Sequence, residues 1–312
     1  MLEQVPYAQW KTTAHYRSKL GVEKATFDLL LCLTEEKLEQ VHGDQVQTSE
    51  SKELLSTENL LALLLNWIAE YRTERALSVD FHIPQQTVHR YLPLLVDLTH
   101  EELQKFVSPP VRIQRKVDSG LLKGACLFVD SFPIPLVYRP GYAQKECVDR
   151  SSYYWFAGGK TQKWAIKVQV ALGLDGRIWD MSKAVPYATS DQKLYRESAV
   201  PAILARGADL KGVGDSHYSK QSQFIPKSRN PKRKREKDLN KAIEKMRASV
   251  EHSIERLKNS PILKGPYRGD RSNLTYVEKV ARIVAALINI EAEIHPIQAD
   301  LRGWKRLRQV AE

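Results

Sequence analysis

Residues 164–183 read WAIKVQVALGLDGRIWDMSK, and this stretch decides the kind of fold that the chain adopts. Apolar side chains from Trp164 to Val170 alternate with the residues between them, which is the period of a β-strand. Asp175-Gly176 is typical of a tight turn between antiparallel strands, and Ile178 to Lys183 supplies a second strand. The stretch therefore predicts a β-hairpin, and the chain is expected to contain a sheet.

Two shorter apolar runs, one before and one after this hairpin, each end in an aspartate. Ala125 to Val129 leads to Asp130, and Leu210 to Gly214 leads to Asp215. Short apolar runs of this kind are typical of buried strands. Each strand is therefore expected to deliver a carboxylate at its tip.

Helical periodicity accounts for much of the remaining chain. Helices are predicted over residues 58–70, 193–206, 238–258 and 277–294. Ser108, Pro109 and Pro110 form a stiff linker, because two adjacent prolines cannot continue a helix. The predicted organisation is a helical domain at 1–107, the linker at 108–119, a sheet-containing domain at 120–295 and a basic tail at 296–312.

Residues 73–96 have the pattern of a helix-turn-helix. A short helix is followed by a break at residues 81–83, and Pro84 opens a second, amphipathic helix. The inner face of that helix carries Val88 and Leu92. Its outer face carries four polar residues near the start: Gln85, Gln86, His89 and Arg90. Glutamine can pair with adenine and arginine with guanine in the major groove of DNA. An ordinary helical hairpin fits the same pattern, so both interpretations stay open.

Positive charge is the dominant feature of the composition. The 312 residues carry a net charge of +11, which favours an anionic partner such as nucleic acid. Residues 227–237 alone carry +6, and Pro226 and Pro231 break regular structure there, so a flexible basic loop is predicted. Its basic residues are Lys227, Arg229, Lys232, Arg233, Lys234, Arg235 and Lys237. Such a loop follows DNA phosphates, serves as a nuclear localisation signal, or is a plain solvated surface.

The sequence also argues against several classes of protein. No apolar run approaches the ~18–20 residues that a membrane span needs, and the N-terminus lacks the apolar core of a secretory signal. Cys32, Cys126 and Cys147 are far apart and form no CxxC pair, so neither a zinc knuckle nor a disulfide framework is indicated. A reducing compartment is therefore expected.

Four segments together carry a family resemblance. They are LFVDSFPIPLVYRP (127–140), KTQKWAIKVQVALGLDGRIWDMSKAVP (160–186), GVGDSHYS (212–219) and RASVEHSIERLK (247–258). Together they resemble the DDE transposases of the PIF/Harbinger and related bacterial insertion-sequence group, over roughly residues 120–290. The preceding helix-turn-helix is similar to the N-terminal part of the same proteins. The resemblance implies an α+β fold, with a ribonuclease H-like mixed sheet flanked by helices and preceded by an all-α helix-turn-helix domain.

The same resemblance implies a catalytic triad of Asp130, Asp215 and Glu251. The motif GD-x-x-Y contains Asp215, and the motif R-x-x-x-E-x-x-x-x-x-x-K joins Arg247, Glu251 and Lys258. Arg247 and Lys258 would either steady the triad or bind DNA phosphate. Asn240 resembles an asparagine often seen upstream of the glutamate.

Three positions depart from the family pattern. The family usually has glycine where His217 stands, Pro-Gly where Pro186-Tyr187 stands, and His-Asp where Ser190-Asp191 stands. These departures affect the surroundings of the second strand, whereas all three acidic residues are present.

Phosphodiester chemistry requires residues of this type. Two Mg²⁺ (or Mn²⁺) ions about 3.5–4 Å apart activate the attacking oxygen and stabilise the leaving one, and hard cations prefer carboxylate ligands. Three converging carboxylates repel one another unless a cation neutralises them. Asp130 is expected to bridge the two ions, with Asp215 and Glu251 each holding one.

The predicted function is therefore a DNA transposase that binds the terminal inverted repeats of its element and cuts and joins target DNA. Two alternatives stay open: a domesticated DNA-binding regulator on a nuclease-like scaffold, and a nuclease without strand transfer. Pairing of two DNA ends predicts a homodimer or larger assembly, and Harbinger-like elements often employ an accessory Myb-like DNA-binding protein. The expected location is the nucleus in a eukaryote, or the cytoplasm and nucleoid in a bacterium.

Overall fold

The chain folds into two compact units. The computed structural model describes residues 13–43, 55–137, 164–218, 221–269 and 273–294, without the side chains of 13, 41–43 and 247–252. Among the described residues, the first unit comprises those up to 106 together with 259–262 and 279–294, and the second comprises the others. Residues 279–294 thus group with the N-terminal helices, whereas the sequence pattern predicts them in the second domain.

The first unit is helical. It begins with Thr13–His15 in α-helix and Tyr16–Leu20 in π-helix, followed by α1 (Lys24–Gly43), α2 (Thr57–Glu70), α3 (Glu74–Asp80) and α4 (Gln85–Leu103). Helix α2 begins at Thr57, one residue before the predicted start, and the Ser56 hydroxyl caps it by accepting a hydrogen bond from the Asn59 amide at 3.3 Å. Its leucines from Leu60 to Leu65 are buried and form the core of this unit.

The second unit is built on a mixed sheet. Its strands are β1 (Ala125–Pro135), β2 (Ala165–Gly173), β3 (Ile178–Met181), β4 (Val185–Pro186), β5 (Lys211–Gly214) and β6 (Phe224–Pro226). Within the described residues the order is β3-β2-β1-β5-β6, with β4 beside β2. The β1–β2 and β2–β3 pairs are antiparallel, whereas β1–β5 and β5–β6 are parallel. The predicted hairpin is confirmed, with Gly176 at a left-handed φ of 80° in its turn.

Helices cover the two faces of this sheet. On one face α5 (Asp191–Glu197) and α6 (Val200–Leu204) contribute to a buried cluster with Leu127, Val129 and Trp179. The long helix α7 (Lys234–Asn259) follows β6, and the short helix α8 (Pro261–Lys264) and the helix α9 (Leu274–Ile294) complete the described chain. The 3-10 turns lie at Gln104–Phe106, Gly120–Leu122 and Ser216–Tyr218. None of the described helices is long and apolar enough to cross a membrane.

One correction concerns the strand that carries Asp130. This residue lies opposite Val170 in the middle of β1, and not at the end of the strand as predicted. Strand β1 continues past Asp130, but its pairing with β5 ends one residue earlier, where Val129 lies opposite Gly214, the last residue of β5. The Leu136 amide donates to the Trp164 carbonyl beside β2. Because amide directions alternate along a strand, the nitrogens of the prolines at 133 and 135 face away from β2, where they interrupt no ladder bond.

Two helix predictions also need correction. The predicted helix 193–206 is two helices, α5 and α6, separated at Ser198 and Ala199. The Ala199 amide donates instead to the Asp180 carboxylate at 3.1 Å, a tertiary contact that the local pattern does not reveal. Helix α7 begins at Lys234, four residues earlier than predicted, so the end of the predicted flexible basic loop is helical.

Candidate active site

The edge between β1 and β5 brings the two predicted aspartates together. Val129 and Gly214 are register partners in parallel strands, and Asp130 and Asp215 are the next residue of each. Both carboxylates line one small cavity of about 30 Å³. A cavity of this size has room for a water molecule or a small cation. Asp130 is half-buried and Asp215 is exposed, so the cavity combines a sheltered acid with an accessible one.

The GD-x-x-Y motif positions Asp215 by close packing. A Cβ atom at Gly214 would lie 2.7 Å from Cδ2 of Tyr218, so a larger residue does not fit before the aspartate. The Tyr218 ring is buried and stacks on Phe224 with ring centroids 5.0 Å apart. Its hydroxyl donates to Oε1 of Gln169 at 3.0 Å. The motif is therefore a packing unit that fixes the chain on both sides of Asp215.

Helix α7 supplies a third acid to the cavity, and this acid is Glu244. The cavity is lined by Phe128, Asp130, Gly214, Asp215, Lys227, Ile243 and Glu244. Glu251, the predicted third catalytic residue, lies on the same helix seven residues later, and its side chain is outside the described part. Seven residues are two helical turns, which place the two positions on nearly the same face and ~10 Å apart along the axis.

One basic residue, Lys227, lines the same cavity, and a second, Arg229, contacts the residues that follow Asp215. Nζ of Lys227 lies 2.7 Å from Oε1 of Glu244. Nε of Arg229 donates to the Ser216 hydroxyl at 3.0 Å, and its Nη2 lies 3.5 Å from Nδ1 of His217. Asn240 holds this segment on α7, because its side chain accepts from the Ser228 amide and donates to the Ser228 carbonyl, both at 2.9 Å. The segment from 227 is thus tied to the residues that follow Asp215.

The other basic residues proposed to bind DNA lie along α7. Lys232 and Arg233 directly precede the helix, Lys234 and Arg235 form its first turn, and all four are exposed. Lys258 is exposed near the end of the helix, and the side chain of Arg247 lies outside the described part. None of the four at the start forms an ion pair with a described residue, so their charge is available to a ligand.

The first unit presents the proposed base-reading residues as predicted. Gln85, Gln86, His89 and Arg90 are exposed in the first turns of α4, while Val88, Tyr91 and Leu92 are buried beneath them. His89 Nδ1 lies 2.9 Å from Oε1 of Glu74, and this hydrogen bond raises the pKa of His89. The structure has two helices here, α3 and α4, with a break at residues 81–84 between them. DNA binding by these residues stays a prediction.

The donor chemistry of the cavity suits a hard divalent cation. Asp130 and Asp215 offer carboxylate oxygens to one small space, and such ligands fit Mg²⁺ or Mn²⁺. Among the side chains that the structure describes, no three His, Cys, Asp or Glu lie close enough to form a complete metal site. A metal ion held by the two aspartates would need a third ligand, which Glu251, whose side chain is outside that set, or Glu244 could supply.

A mixed sheet of this order, flanked by helices and with aspartates on two neighbouring strands, is a ribonuclease H-like fold. The family described as DDE superfamily endonuclease matches residues 129–289, slightly more than half of the 312-residue chain, and the chain belongs to that family. The match confirms the resemblance to DDE transposases. Comparisons with curated proteins and with solved structures found no match.

Sequence reasoning missed Glu244, Lys227 and Arg229 as individual neighbours of the aspartates. Glu244 could have been found from its spacing, because it lies two helical turns before Glu251. The pairing of Lys227 with Glu244 has no sequence signal, since it depends on how the chain returns from β6 to α7.

Proposed function

We propose that the protein is a DNA transposase that binds the ends of its element, hydrolyses phosphodiester bonds with divalent metal and transfers the cut strand to target DNA. The observation that carries this proposal is the shared cavity of Asp130 and Asp215 in a DDE endonuclease domain. The exposed cations beside it are suited to a polyanion, and the exposed polar face of α4 is suited to a major groove.

Asp130, Asp215 and Glu251 are the proposed metal-binding and catalytic residues. Divalent cations bound there would supply charge to activate water or a DNA 3′-hydroxyl and to stabilise the leaving oxygen. The pairing of β1 with β5 directly beside Asp130 and Asp215 supports this assignment, because it brings the two residues to the same cavity. Arg229, held by Ser216 and His217, orients the DNA backbone next to Asp215. Joining two DNA ends needs two such sites, so we expect a homodimer or larger assembly on DNA.

Plasmid nicking tests the catalytic assignment without knowledge of the element's ends. Asp130→Ala, Asp215→Ala or Glu251→Ala should each abolish Mn²⁺-dependent nicking of supercoiled plasmid. Loss of several kcal/mol of metal-ion stabilisation corresponds to a rate reduction of about a thousandfold or more. Asp209→Ala is the matched control, because this exposed aspartate precedes β5 at the end remote from Asp215.

Glu244→Ala separates the two glutamates of α7. If Glu251 is the third ligand, Glu244→Ala should retain nicking within about tenfold, while Glu251→Ala removes it. Full activity in Glu251→Ala would contradict the proposed triad. A joining assay with pre-cut DNA that carries a free 3′-hydroxyl then distinguishes strand transfer from hydrolysis alone.

A further inference from the structure

A half-buried ion pair lies on the opposite face of the sheet from the cavity. Nζ of Lys167 is 3.2 Å from Oδ1 of Asp191, and the two side chains are only 12% and 18% exposed. Lys167 also donates to the Thr189 carbonyl at 2.8 Å and lies 5.1 Å from the centre of the Tyr187 ring. The pair is therefore satisfied, although it occupies a position where apolar residues would pack without the desolvation penalty of two charges.

Asp191 has a second contact that leads to the active site. The hydroxyl of Ser131 donates to Oδ1 of Asp191 at 2.9 Å, and the Ser131 amide donates to Oδ1 of Asp130 at 2.9 Å. Ser131 thus connects the half-buried ion pair with the candidate catalytic carboxylate. The connection needs no movement, since all of these contacts are present together.

Strand geometry explains how Ser131 links the two faces of the sheet. Register partners in an antiparallel pair share a face, so Ser131, paired with Gln169, lies on the same face as Lys167, which is paired with Pro133. Side chains alternate along a strand, and Asp130 therefore lies on the other face, where the cavity is. Fixing the Ser131 side chain on one face fixes the peptide that holds Asp130 on the other.

The ring of Tyr218 gives independent support for this arrangement. Burial raises the pKa of the Tyr218 hydroxyl, and the charges of Asp191, Asp130 and Asp215 raise it further. Asp191, Asp130 and Asp215 therefore all lie near enough to the Tyr218 hydroxyl to raise its pKa. Lys167 supplies the positive charge that keeps Asp191 from adding uncompensated negative charge to this region.

We propose that Lys167 and Asp191 are positioning residues that hold Ser131 and, through its amide, keep the Asp130 carboxylate directed at the cavity. The expected effect on metal binding rests on the proposed function, whereas the expected effect on the Ser131 peptide does not. Outer partners of this kind typically change metal affinity by about 10–100-fold when they are removed.

A purely structural role is the alternative, because Asp191 also begins α5, where Ser190 is the N-cap and a negative charge favours the helix. The double variant Lys167→Met with Asp191→Leu separates the two roles. It removes both charges and leaves neither unpaired, so the thermal unfolding temperature should fall only by the small amount that loss of a negative charge at the start of α5 explains. Ser131→Ala and Ser131→Thr form a second, uncharged comparison, since threonine keeps the hydroxyl.

Two measurements on the full chain decide the question. Calorimetric titration with Mn²⁺ should show an affinity about tenfold lower in the double variant and in Ser131→Ala, with recovery in Ser131→Thr. Amide hydrogen exchange at Ser131 in the metal-free protein should be faster in the double variant, because the side chain of Ser131 no longer anchors the peptide.

The two measurements fail in distinguishable ways. If the double variant keeps both wild-type Mn²⁺ affinity and wild-type exchange at Ser131, the ion pair serves only the fold and the positioning role is wrong. If the wild type binds no Mn²⁺ at all, the proposed metal-dependent function is wrong. Exchange at Ser131 still decides in that case whether Lys167 and Asp191 position Asp130.

Discussion

Arg229 differs from its neighbour Lys227 in the way its charge is used. Lys227 is paired with Glu244, whereas the described contacts of the Arg229 guanidinium are with Ser216 and His217 and not with a carboxylate. A planar guanidinium held in place in this way has N–H donors available for an anion such as phosphate. Because Ser216 directly follows Asp215, we propose that Arg229 contacts the DNA backbone at the candidate active site.

Arg229→Gln should therefore weaken DNA binding. Loss of one hydrogen bond to a charged group, worth about 1.5–3 kcal/mol, corresponds to roughly a 10–100-fold loss of affinity. Fluorescence anisotropy with a labelled duplex in EDTA measures this without cleavage. Arg206→Gln is the control, since this exposed arginine donates to the Pro110 carbonyl and precedes the start of β5. Equal affinity in the Arg229 and Arg206 variants would exclude the contact.

At this scale the sequence predicts two aspartates that each follow an apolar run, but not the side chains that surround them. The structure places Asp130 and Asp215 beside each other, whereas their catalytic role stays a prediction. Glu244 and Arg229 lie in polar stretches that are rich in charged residues. Only the folded chain selects those that face the cavity, because the selection depends on the path between β6 and α7.

The start of helix α7 is an element whose boundary depends on one carboxylate. Glu236 accepts hydrogen bonds from the Arg233 and Lys232 amides at 3.2 and 2.8 Å. These backbone donors would otherwise lack an intrahelical partner, so the contact extends the helix into the basic segment. Pro226 and Pro231 by themselves predict a loop in this segment. The earlier helix start depends instead on the bonds of the Glu236 side chain to backbone amides.

This capping contact predicts a pH-dependent helix start. The bonds from Arg233 and Lys232 lower the pKa of Glu236 below its ordinary value, so the ionised form is the one that stabilises the helix. The stabilisation is complete above the ordinary carboxyl pKa and is lost as the pH falls through the lowered one. The protection of amides 234–237 against hydrogen exchange, relative to the intrinsic exchange rate at each pH, should fall on acidification to about pH 3. In Glu236→Gln this protection should already be lower at neutral pH and change less with pH; wild-type protection that is insensitive to acid would contradict the assignment.

Helix α4 is the element proposed to read bases. Arg90 lies with its guanidinium carbon 5.4 Å from the centre of the Tyr91 ring, on the exposed face that also carries Gln86. Arg90→Ala should remove about 1–3 kcal/mol of discrimination at one base position and leave binding to scrambled DNA unchanged. Selection of bound sequences from a random duplex pool, with wild type and variant in parallel, measures this. An equal loss on every sequence would reduce Arg90 to a phosphate contact.

Element boundaries are harder to predict than element types. The hairpin from residue 164 and the amphipathic helix after Pro84 have strong local periodicity, and the structure contains both. The division of residues 193–206 into α5 and α6 depends on the bond from Ala199 to Asp180, which is remote in sequence. Local patterns do not contain such contacts, and the boundaries therefore follow only from the tertiary structure.

For the molecule as a whole, the distribution of charge is more informative than its total. The chain carries +11, and residues 227–237 account for +6 of it. In the fold this segment joins β6 to α7, the helix that also carries Glu244 and Glu251. A strong local positive charge is thus attached to the part of the second unit that contains the candidate active site. The positive electrostatic potential of such a segment attracts a polyanion and raises its rate of association.

Replacing Lys232, Arg233, Lys234 and Arg235 by serine tests this role of the segment. Lysine and arginine side chains in contact with solvent supply charge without fixed geometry, so they are expected to follow phosphates and not bases. Binding of every DNA sequence should weaken alike, and the log–log salt dependence should flatten by ~0.9 for each phosphate that the variant no longer neutralises. Calorimetric Mn²⁺ binding should be retained, because no carboxylate is changed.

Nuclear import is the rival role of the same segment, and the salt series separates the two. An import signal is recognised by a carrier protein, so its loss changes cellular distribution without changing the affinity of the purified protein for DNA. A phosphate-binding segment changes both the affinity and its salt dependence in the test tube, whatever the cell type. If the four-serine variant binds DNA with the wild-type affinity and slope at each salt concentration, the DNA role is excluded. The charge then serves import or solubility, and DNA contact must rely on Arg229 and on helix α4.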